Sequence, residues 1–201
     1  MDQFDTSDEE TENGSLDTTP LKIDWLDLSI YGCTADLGIT SLPGCKFKDT
    51  WRCMKTDVAG VKDVFVLCTN GELKKYRVKN LLTEYKAGQI TVHHHPFFDG
   101  MTLAMSNLML LLEELKALLT EGHKTLIHCY GGLGRSSLVA CCLLMFLDPD
   151  IDHGAVIDKL KSLRGSNAIQ SVKQYNFITE FRDNLTQFKK AKTEVSRPVS
   201  R

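Results

Sequence analysis

The sequence predicts an α/β fold in which a central, mostly parallel sheet is flanked by helices. Short apolar runs typical of buried strands alternate along the chain with longer segments of helical apolar spacing. Alternation of this kind favours a parallel sheet with helices on both faces. Ligands of such sheets bind beyond the carboxyl ends of the strands. The fold class therefore also predicts where a functional site lies.

Three segments predict the strands. Residues 61–69, VKDVFVLCT, concentrate Val and Phe in a run that is short for a helix. Residues 89–95, QITVHHH, and 124–129, KTLIHC, are similar short runs that contain Val or Ile. The last of these three strands ends in a cysteine, at the edge of the sheet where ligands are expected.

Apolar spacing and glycine stops predict the first two helices. One is expected within 76–88, where Gly88 ends it, and a longer one within 102–122, where Gly122 ends it.

Three more helices are predicted in the second half of the chain. Residues 135–147, RSSLVACCLLMFL, are apolar on nearly every side, which places this helix in the centre of the core. A helix within 152–165 begins at Asp152 as its cap and ends at Gly165. One last helix is predicted from the apolar positions Val172, Tyr175, Ile178, Phe181, Leu185 and Phe188.

Length and charge predict one domain with flexible ends. The chain has 201 residues, of which 42% are hydrophobic, and its net charge is −2. Residues 1–20 contain seven acidic and no basic residues, and they predict a disordered acidic tail. The folded domain is expected over 21–189, followed by a basic flexible tail over 190–201. Without the acidic tail the chain keeps 24 basic and 19 acidic residues, which suits an anionic ligand.

The cysteines and the N-terminus predict the compartment. The seven cysteines include no Cys-x-x-Cys pair, and the first 20 residues have neither the basic start nor the apolar run of a secretory signal. Reduced thiols in the cytosol or nucleus are therefore expected. We predict a cytoplasmic protein, with a perinuclear or nuclear location as the alternative. The apolar segments 103–119 and 136–147 do not predict a membrane span, because one carries charges and the other is short.

The segment HCYGGLGRS, residues 128–136, predicts an anion-binding loop between a strand and a helix. Glycines can adopt backbone angles that other residues avoid, so the loop can direct successive N–H groups inward. The following helix adds its unpaired N–H groups and the positive end of its dipole. The loop is therefore shaped for a phosphate-like dianion.

Two side chains of this loop carry the chemistry. Arg135 has a planar guanidinium that can bind two phosphoryl oxygens at once. Cys129 lies in the same electropositive setting, where a thiol is expected to ionise below its ordinary pKa of about 8.5 and act as a nucleophile. The Gly-Lys-Ser/Thr ending of nucleotide-binding loops is absent. The alternative, a glycine-rich turn that merely buries a cysteine, lacks a reason for this flanking pattern.

HCYGGLGRS resembles the His-Cys-x5-Arg-Ser/Thr signature of the cysteine-dependent protein phosphatases. Together with LPGCKFKD, GELKKYRV and HHHPFFDG, it is similar to the kinase-associated group of dual-specificity phosphatases. The likeness extends from about residue 20 to the C-terminus.

The resemblance implies roles for the residues of the loop. Cys129 is the nucleophile, and Ser136 stabilises its sulfur as the leaving group of the second step, or is alternatively a simple helix-terminus hydroxyl. His128 orients the loop through hydrogen bonds. The phosphoryl group is expected to bind Tyr130, Gly131, Gly132, Leu133, Gly134 and Arg135.

Residues outside the loop complete the predicted mechanism. Asp99 is the candidate general acid, since no other carboxylate lies between Glu84 and Glu113. The alternative is an ordinary turn aspartate, and the Trp-Pro-Asp tripeptide usual in the family is absent. Gln170 and Gln174 resemble glutamines that place the hydrolytic water in related enzymes.

No cofactor or metal is predicted. His93 and His95 share a face of their strand, which is a spacing that metal ligands can have, but the mechanism needs no metal. Packing and hydrogen bonding beside the loop are the expected roles of these histidines.

The neutral residues inside the loop favour a single phosphate on a protein side chain. The resemblance implies phosphothreonine on the activation segment of a cyclin-dependent kinase, with phosphotyrosine and phosphoserine also accepted. The last helix and the basic C-terminus are candidate docking surfaces for that kinase. Neither nucleic acid nor membrane is an expected partner. The alternatives are a non-catalytic inhibitor that binds a kinase, and sulfur transfer or arsenate reduction on a similar loop.

Overall fold

The computed structural model describes residues 15–16, 21–47, 50–51 and 60–195. Its strands are β1 (Ser15–Leu16), β2 (Asp24–Leu26), β3 (Leu37–Thr40), β4 (Lys46–Phe47), β5 (Thr50–Trp51), β6 (Asp63–Val66), β7 (Thr91–His94) and β8 (Thr125–His128). Its helices are a 3-10 turn (Ser29–Tyr31), α1 (Asn70–Lys75), α2 (Leu81–Ala87), α3 (Met105–Thr120), α4 (Arg135–Leu147), α5 (His153–Arg164), α6 (Val172–Thr179) and α7 (Phe181–Val195).

The main sheet has five strands in the order β2-β3-β8-β6-β7. All its neighbours run parallel except β2 and β3, so the predicted mostly parallel sheet is confirmed. His128, the last residue of β8, lies opposite Thr40 of β3 and Val66 of β6. Three strands therefore end together, directly before Cys129. A separate small sheet pairs β1, β5 and β4.

Both faces of the main sheet are covered by apolar side chains, as the fold class predicts. Along β6 the side chains alternate: Val64 and Val66 pack with residues of α1 and α2, whereas Phe65 packs on the other face with α3 to α7. The larger cluster lies on the second face, where most of the helices are.

Helix α4 is the centre of the core and has the bounds that the sequence predicts. Every residue from Arg135 to Met145 is buried. Helix α4 is apolar on nearly every side, but its 13 residues are too few to span a bilayer. Within the described ranges, no helix is both long and apolar enough to cross a membrane.

Two strands of the main sheet, β2 and β3, are missing from the sequence prediction. Gly38 in the middle of β3 weakens the apolar pattern that marks a strand. The structure explains this glycine, because a Cβ there would lie 2.5 Å from Leu126 Cδ2 and 2.9 Å from the Trp25 ring. Close packing of β3 therefore requires a glycine, and this glycine weakens the strand pattern in the sequence.

The prediction of a single last helix is wrong, because the structure has two helices in this segment. Helix α6 ends at Thr179 with Glu180 as its cap, and α7 begins at Phe181. Val172 and Tyr175, expected on the apolar face, are 75% and 48% exposed.

The predicted tails fall mostly outside the described residues. Of residues 1–20, the structure describes Ser15–Leu16, which pair with Thr50–Trp51 as β1 and β5. The disorder of the acidic tail stays a prediction. At the other end, α7 continues to Val195, past the predicted boundary at 189. The remainder of the basic tail, 196–201, lies outside the described residues.

Candidate active site

The loop from Cys129 to Gly134 joins β8 to α4 at the carboxyl edge of the main sheet. The Cys129 side chain is almost fully buried there, with 2% of its surface exposed. This is the edge where the fold class predicts a ligand site.

Backbone carbonyls at both ends of the loop point outward to donors. The Tyr130 carbonyl accepts from the Leu42 N–H at 3.0 Å, and the Leu133 carbonyl accepts from the Ile169 N–H at 3.0 Å. In a trans peptide the carbonyl and the N–H of the next residue point in opposite directions. The N–H groups of Gly131 and Gly134 are therefore directed away from these partners, as an anion-binding nest requires.

Gly134 is the cap of α4, and it has no side chain that could occupy the first-turn N–H groups. These groups stay available to an anion, and the helix dipole favours one there. A Cβ at Gly134 would lie 2.8 Å from Gln170 Oε1 and 3.2 Å from Gln174 Nε2. The structure thus brings both predicted glutamines to the end of the loop, where their amides require a glycine.

Arg135 is fully buried and held in one plane by Glu72. Its Nη1 donates to Glu72 Oε2 at 2.9 Å, and its Nη2 donates to Glu72 Oε1 at 2.7 Å. The carbonyls of Leu67 and Phe97 also accept from Nη1, at 3.2 and 2.9 Å. A guanidinium has five N–H donors, so Nε and one hydrogen of Nη2 are not used by these acceptors.

Glu72, the ionic partner of Arg135, is a residue of this site that the sequence alone does not single out. It belongs to a capping box at the start of α1, in which Thr69 Oγ1 accepts from the Glu72 N–H and Glu72 Oε2 accepts from the Thr69 N–H. Burial raises the pKa of Glu72, but hydrogen bonds from Arg135 and Thr69 outweigh this and hold it below its usual value. The pattern Thr-x-x-Glu marks a helix start, but it carries no information about a partner 63 residues away.

The structure brings Asp99 to the free edge of the guanidinium. Its Oδ1 lies 3.2 Å from Arg135 Nε, and its side chain is 60% exposed. The backbone on both sides is fixed, because the Phe97 carbonyl accepts from Arg135 and the Gly100 carbonyl accepts from Ser171 Oγ at 2.8 Å. An exposed carboxylate therefore lies beside the buried guanidinium of Arg135.

His128 lies buried beneath the loop. Its Nε2 is 3.2 Å from the Tyr85 hydroxyl, and burial lowers its pKa to about 3. The imidazole is therefore neutral at physiological pH and takes part as a hydrogen-bonding group. Burial also raises the pKa of Tyr85, so its hydroxyl keeps its proton.

Several buried polar atoms beside the loop have no hydrogen-bond partner among the described residues. Ser136 Oγ and Gln174 Nε2 are two of them. Gln174 Oε1, in contrast, accepts from the Gln170 N–H at 3.1 Å. Buried polar atoms normally find partners, so these two are suited to a ligand or a water. The predicted roles of Ser136 and Gln170 remain predictions.

Tyr130, the residue after Cys129, stacks on Tyr76. The two ring centroids are 4.1 Å apart and the planes differ by 15°. Tyr76 follows α1, so the helix that carries Glu72 also contacts the loop through an aromatic pair.

Other thiols nearby are kept protonated by burial. Burial raises the pKa of the Cys141 thiol to about 12. Burial also raises the pKa of the Cys68 thiol, although the charge of Arg135 acts in the opposite direction. Both thiols therefore keep their protons at physiological pH.

The three histidines of HHHPFFDG form hydrogen bonds at the far edge of the sheet. His93 contacts Glu114 Oε1 at 2.7 Å and Asp63 Oδ1 at 2.8 Å, and His95 contacts Glu114 Oε2 at 3.0 Å. Phe65 stacks on both rings. His94 contacts the Cys68 carbonyl. No cluster of His, Cys, Asp and Glu in the described part of the chain is arranged to hold a metal ion.

Comparison with protein families identifies relatives over the whole chain. The family model for cyclin-dependent kinase inhibitor 3 matches residues 1–157. Cyclin-dependent kinase inhibitor 3 from Rattus norvegicus is 49% identical over 204 residues, covering 99% of this chain and 95% of the relative. The Homo sapiens protein has the same identity and coverage.

Solved structures agree with the sequence relatives. A kinase-associated phosphatase in which serine replaces the catalytic-site cysteine is 50% identical, with a TM-score of 0.80 over 85% of this chain and 98% of that one. Tk-PTP, at 21% identity and a TM-score of 0.60, shares the fold over 75% of this chain and 92% of that one. The chain therefore has the fold of the cysteine-dependent phosphatases.

Proposed function

The chain belongs to the cyclin-dependent kinase inhibitor 3 family, and from that premise we propose that it is a dual-specificity protein phosphatase. Its proposed substrate is phosphothreonine on the activation segment of a cyclin-dependent kinase, with phosphotyrosine and phosphoserine also accepted. The reaction passes through a phosphocysteine intermediate. Cell-cycle control follows from the identity of the substrate.

In the first step, the Cys129 thiolate attacks phosphorus. The inward N–H groups of the loop and the free edge of Arg135 bind the phosphoryl oxygens, where they stabilise charge that builds up in the transition state. The bond from phosphorus to the substrate oxygen breaks. Asp99, 3.2 Å from Arg135, gives its proton to that oxygen, and the dephosphorylated kinase leaves.

In the second step, water hydrolyses the phosphocysteine. The Asp99 carboxylate accepts a proton from the water, whose oxygen attacks phosphorus while the phosphorus–sulfur bond breaks. In this proposal Gln174 Nε2 orients that water, and the Ser136 hydroxyl donates to the departing sulfur. The absence of a hydrogen-bond partner for both atoms among the described residues supports these roles. Inorganic phosphate and the Cys129 thiolate are the products.

The neutral loop supports a substrate with one phosphate. The residues between Cys129 and Arg135 carry no charge that could meet a second phosphate. A kinase would also need a docking surface away from the pocket. Helix α7 offers one, because Lys189, Lys190 and Lys192 are exposed along its last turns.

The geometry of Arg135 carries this proposal, because its side chain is fixed by Glu72 with one edge left for phosphate. Cys129→Ser should abolish hydrolysis of an aryl phosphate and of a phosphorylated kinase segment. Mass spectrometry of the acid-quenched wild-type reaction should find phosphate on Cys129. Cys141→Ser is the matched control, since this buried thiol lies in α4, the helix that follows the loop, and donates to the Val156 carbonyl. It should retain turnover.

Other outcomes identify the alternatives. Kinase binding without turnover by the wild-type protein would indicate a non-catalytic inhibitor. Consumption of thiosulfate or arsenate, without inhibition by orthovanadate, would indicate sulfur transfer or arsenate reduction. The proposed location is the cytoplasm, with the perinuclear region or nucleus as the alternative, and immunofluorescence of the full chain tests it.

A further inference from the structure

We propose that Arg164 is a positioning residue of the phosphate loop. It fixes the two central peptide units, those that join Gly131, Gly132 and Leu133, with their N–H groups turned toward the bound oxyanion. The inference deepens the proposed function and rests on it, because the loop is taken to bind a phosphoryl group.

Arg164 reaches the loop from the last position of α5. Its Nε donates to the Gly132 carbonyl at 3.0 Å, and its Nη2 donates to the Gly131 carbonyl at 3.4 Å. The guanidinium therefore bridges two successive carbonyls of the loop from outside.

Peptide geometry converts these contacts into an orientation of donors. The Gly131 carbonyl shares a planar peptide with the Gly132 N–H, and the Gly132 carbonyl shares one with the Leu133 N–H. When Arg164 draws the carbonyls outward, both N–H groups point the opposite way. Backbone donors orient the two ends of the loop in the same sense, so Arg164 completes a run of four inward N–H groups.

Among the described residues, no backbone N–H donates to the Gly131 or Gly132 carbonyl, so Arg164 is the donor that orients them. Gly131 and Gly132 have no side chains, and glycine is the residue whose backbone has the most conformational freedom. A loop with two adjacent glycines therefore needs an external restraint to keep one arrangement. A charged donor also polarises the peptide units, which strengthens their N–H groups as donors to an anion.

Asp24 holds Arg164 in place. Arg164 Nη1 forms an ion pair with Asp24 Oδ2, and both side chains are largely buried. Lys22 contacts the other carboxylate oxygen at 2.8 Å. Burial raises the pKa of Asp24, but hydrogen bonds from Lys22 and Arg164 outweigh it and lower the pKa below its usual value. The restraint on the loop is thus anchored in strand β2.

Space around Gly132 is filled by the same group. Gly132 has a φ of 67°, and a Cβ there would overlap the Thr40 carbonyl and lie 2.6 Å from Arg164 Nη2. The glycine and the arginine therefore fit each other. Lysine cannot replace this fork, because an ammonium group lacks the planar array of donors that reaches two carbonyls and a carboxylate together.

The test measures oxyanion binding and turnover separately in the full-length protein. Tungstate is the probe, and calorimetry measures its affinity for wild-type protein, Arg164→Met and Arg164→Lys. The matched control is Arg182→Met, since Arg182 also donates to a backbone carbonyl, that of Ile151, but lies in α7. Thermal unfolding shows that each variant is folded.

Arg164→Met should weaken tungstate binding and lower kcat/KM for an aryl phosphate, each by about a hundredfold, because misplaced binding groups lose that much. Arg164→Lys should fall between this variant and wild type. Arg182→Met should lose a similar amount of thermal stability and keep tungstate affinity.

Wild-type tungstate affinity in folded Arg164→Met would overturn the inference, and so would equal losses of affinity in both methionine variants. If Arg164→Met does not fold, Arg164→Lys decides in the same way. The proposed function is tested apart from this, because tungstate binding needs no turnover. A wild-type protein that binds tungstate without hydrolysing phosphate esters would contradict the function and leave the effect of Arg164 measurable.

Discussion

At the scale of single residues, the orientation of Arg135 depends on Glu72. Replacing Glu72 by Gln leaves the size of the side chain unchanged but removes its charge, so a buried guanidinium loses its ionic partner. We expect the free energy of unfolding to fall by about 3 kcal/mol. We also expect kcat/KM to fall by about a hundredfold, because Arg135 is no longer held in the plane that receives phosphate. Urea unfolding and steady-state kinetics measure the two effects.

Glu84→Gln is the control for this prediction. Glu84 is an exposed carboxylate in the next helix, α2, and the same loss of charge there should change neither quantity. Equal kcat/KM in Glu72→Gln and wild type would show that Arg135 binds substrate without this carboxylate.

Residues of the site differ in how far the sequence reveals them. Cys129, Arg135 and Ser136 occur within one short segment of the sequence, so their spacing alone predicts the chemistry. Asp99 could be singled out because few carboxylates surround it in the sequence. Glu72 and Arg164 could not, since their partners in the site are 63 and 32 residues away. Local patterns carry the chemistry, whereas the groups that orient it are brought together by the tertiary fold.

At the scale of elements, the start of α1 connects helix stability to the active site. Thr69→Ala removes the cap of α1, which should cost about 1 kcal/mol of unfolding free energy. Because Thr69 also contacts Glu72 Oε2, the variant should lower kcat/KM by about tenfold through a displaced Arg135. Kinetics and thermal unfolding of the same preparation test both parts.

Asp152→Ala is the matched cap removal at another helix. The Asp152 carboxylate accepts from the Gly154 and Ala155 N–H groups at the start of α5, and it makes no described contact with the phosphate loop. It should cost similar stability and leave kcat/KM unchanged. If both variants lose activity equally, the effect reflects stability alone.

Elements with strong local signals are predictable, and those defined by packing are not. Helix α4 follows from its continuous apolar sequence, and β6, β7 and β8 follow from short apolar runs between polar segments. Strand β3 is not predicted, because Gly38 has a low strand propensity. The residue at this position is determined by the close approach of the Leu126 and Trp25 side chains. The break between α6 and α7 is not predicted, because no Gly or Pro marks it in the sequence. Helix α6 ends with Glu180 as its cap.

At the scale of the whole molecule, the sheet determines which residues meet. Three strands end at one level, so the segments after β3, β6 and β8 converge on one point. These segments carry Leu42, Glu72 and Cys129, respectively. The helices on the second face add Arg164 and Gln174 from behind the loop. The site is therefore a property of the sheet edge, which the alternation of strands and helices predicts without its individual contacts.

Burial of His128 in the centre of this assembly makes the stability of the whole protein depend on pH. Its pKa is about 3 in the folded protein and about 6.5 when unfolded. Below pH 6.5 the unfolded chain therefore binds a proton that the folded protein does not. Stability should fall on acidification from pH 6.5 towards pH 3, by about 2 kcal/mol between pH 7 and pH 5. Urea unfolding at several pH values measures this slope.

His128→Asn separates this effect from other titrating groups. Its absolute stability should be lower, because a smaller side chain leaves space in the core, but its stability should change less between pH 7 and pH 5. Glu72 does not contribute in this range, since its lowered pKa confines its effect to below about pH 4.3, where the unfolded carboxylate titrates. Identical slopes in the variant and the wild-type protein would mean that the imidazole gains its proton without unfolding, and that the loop above it tolerates a charge.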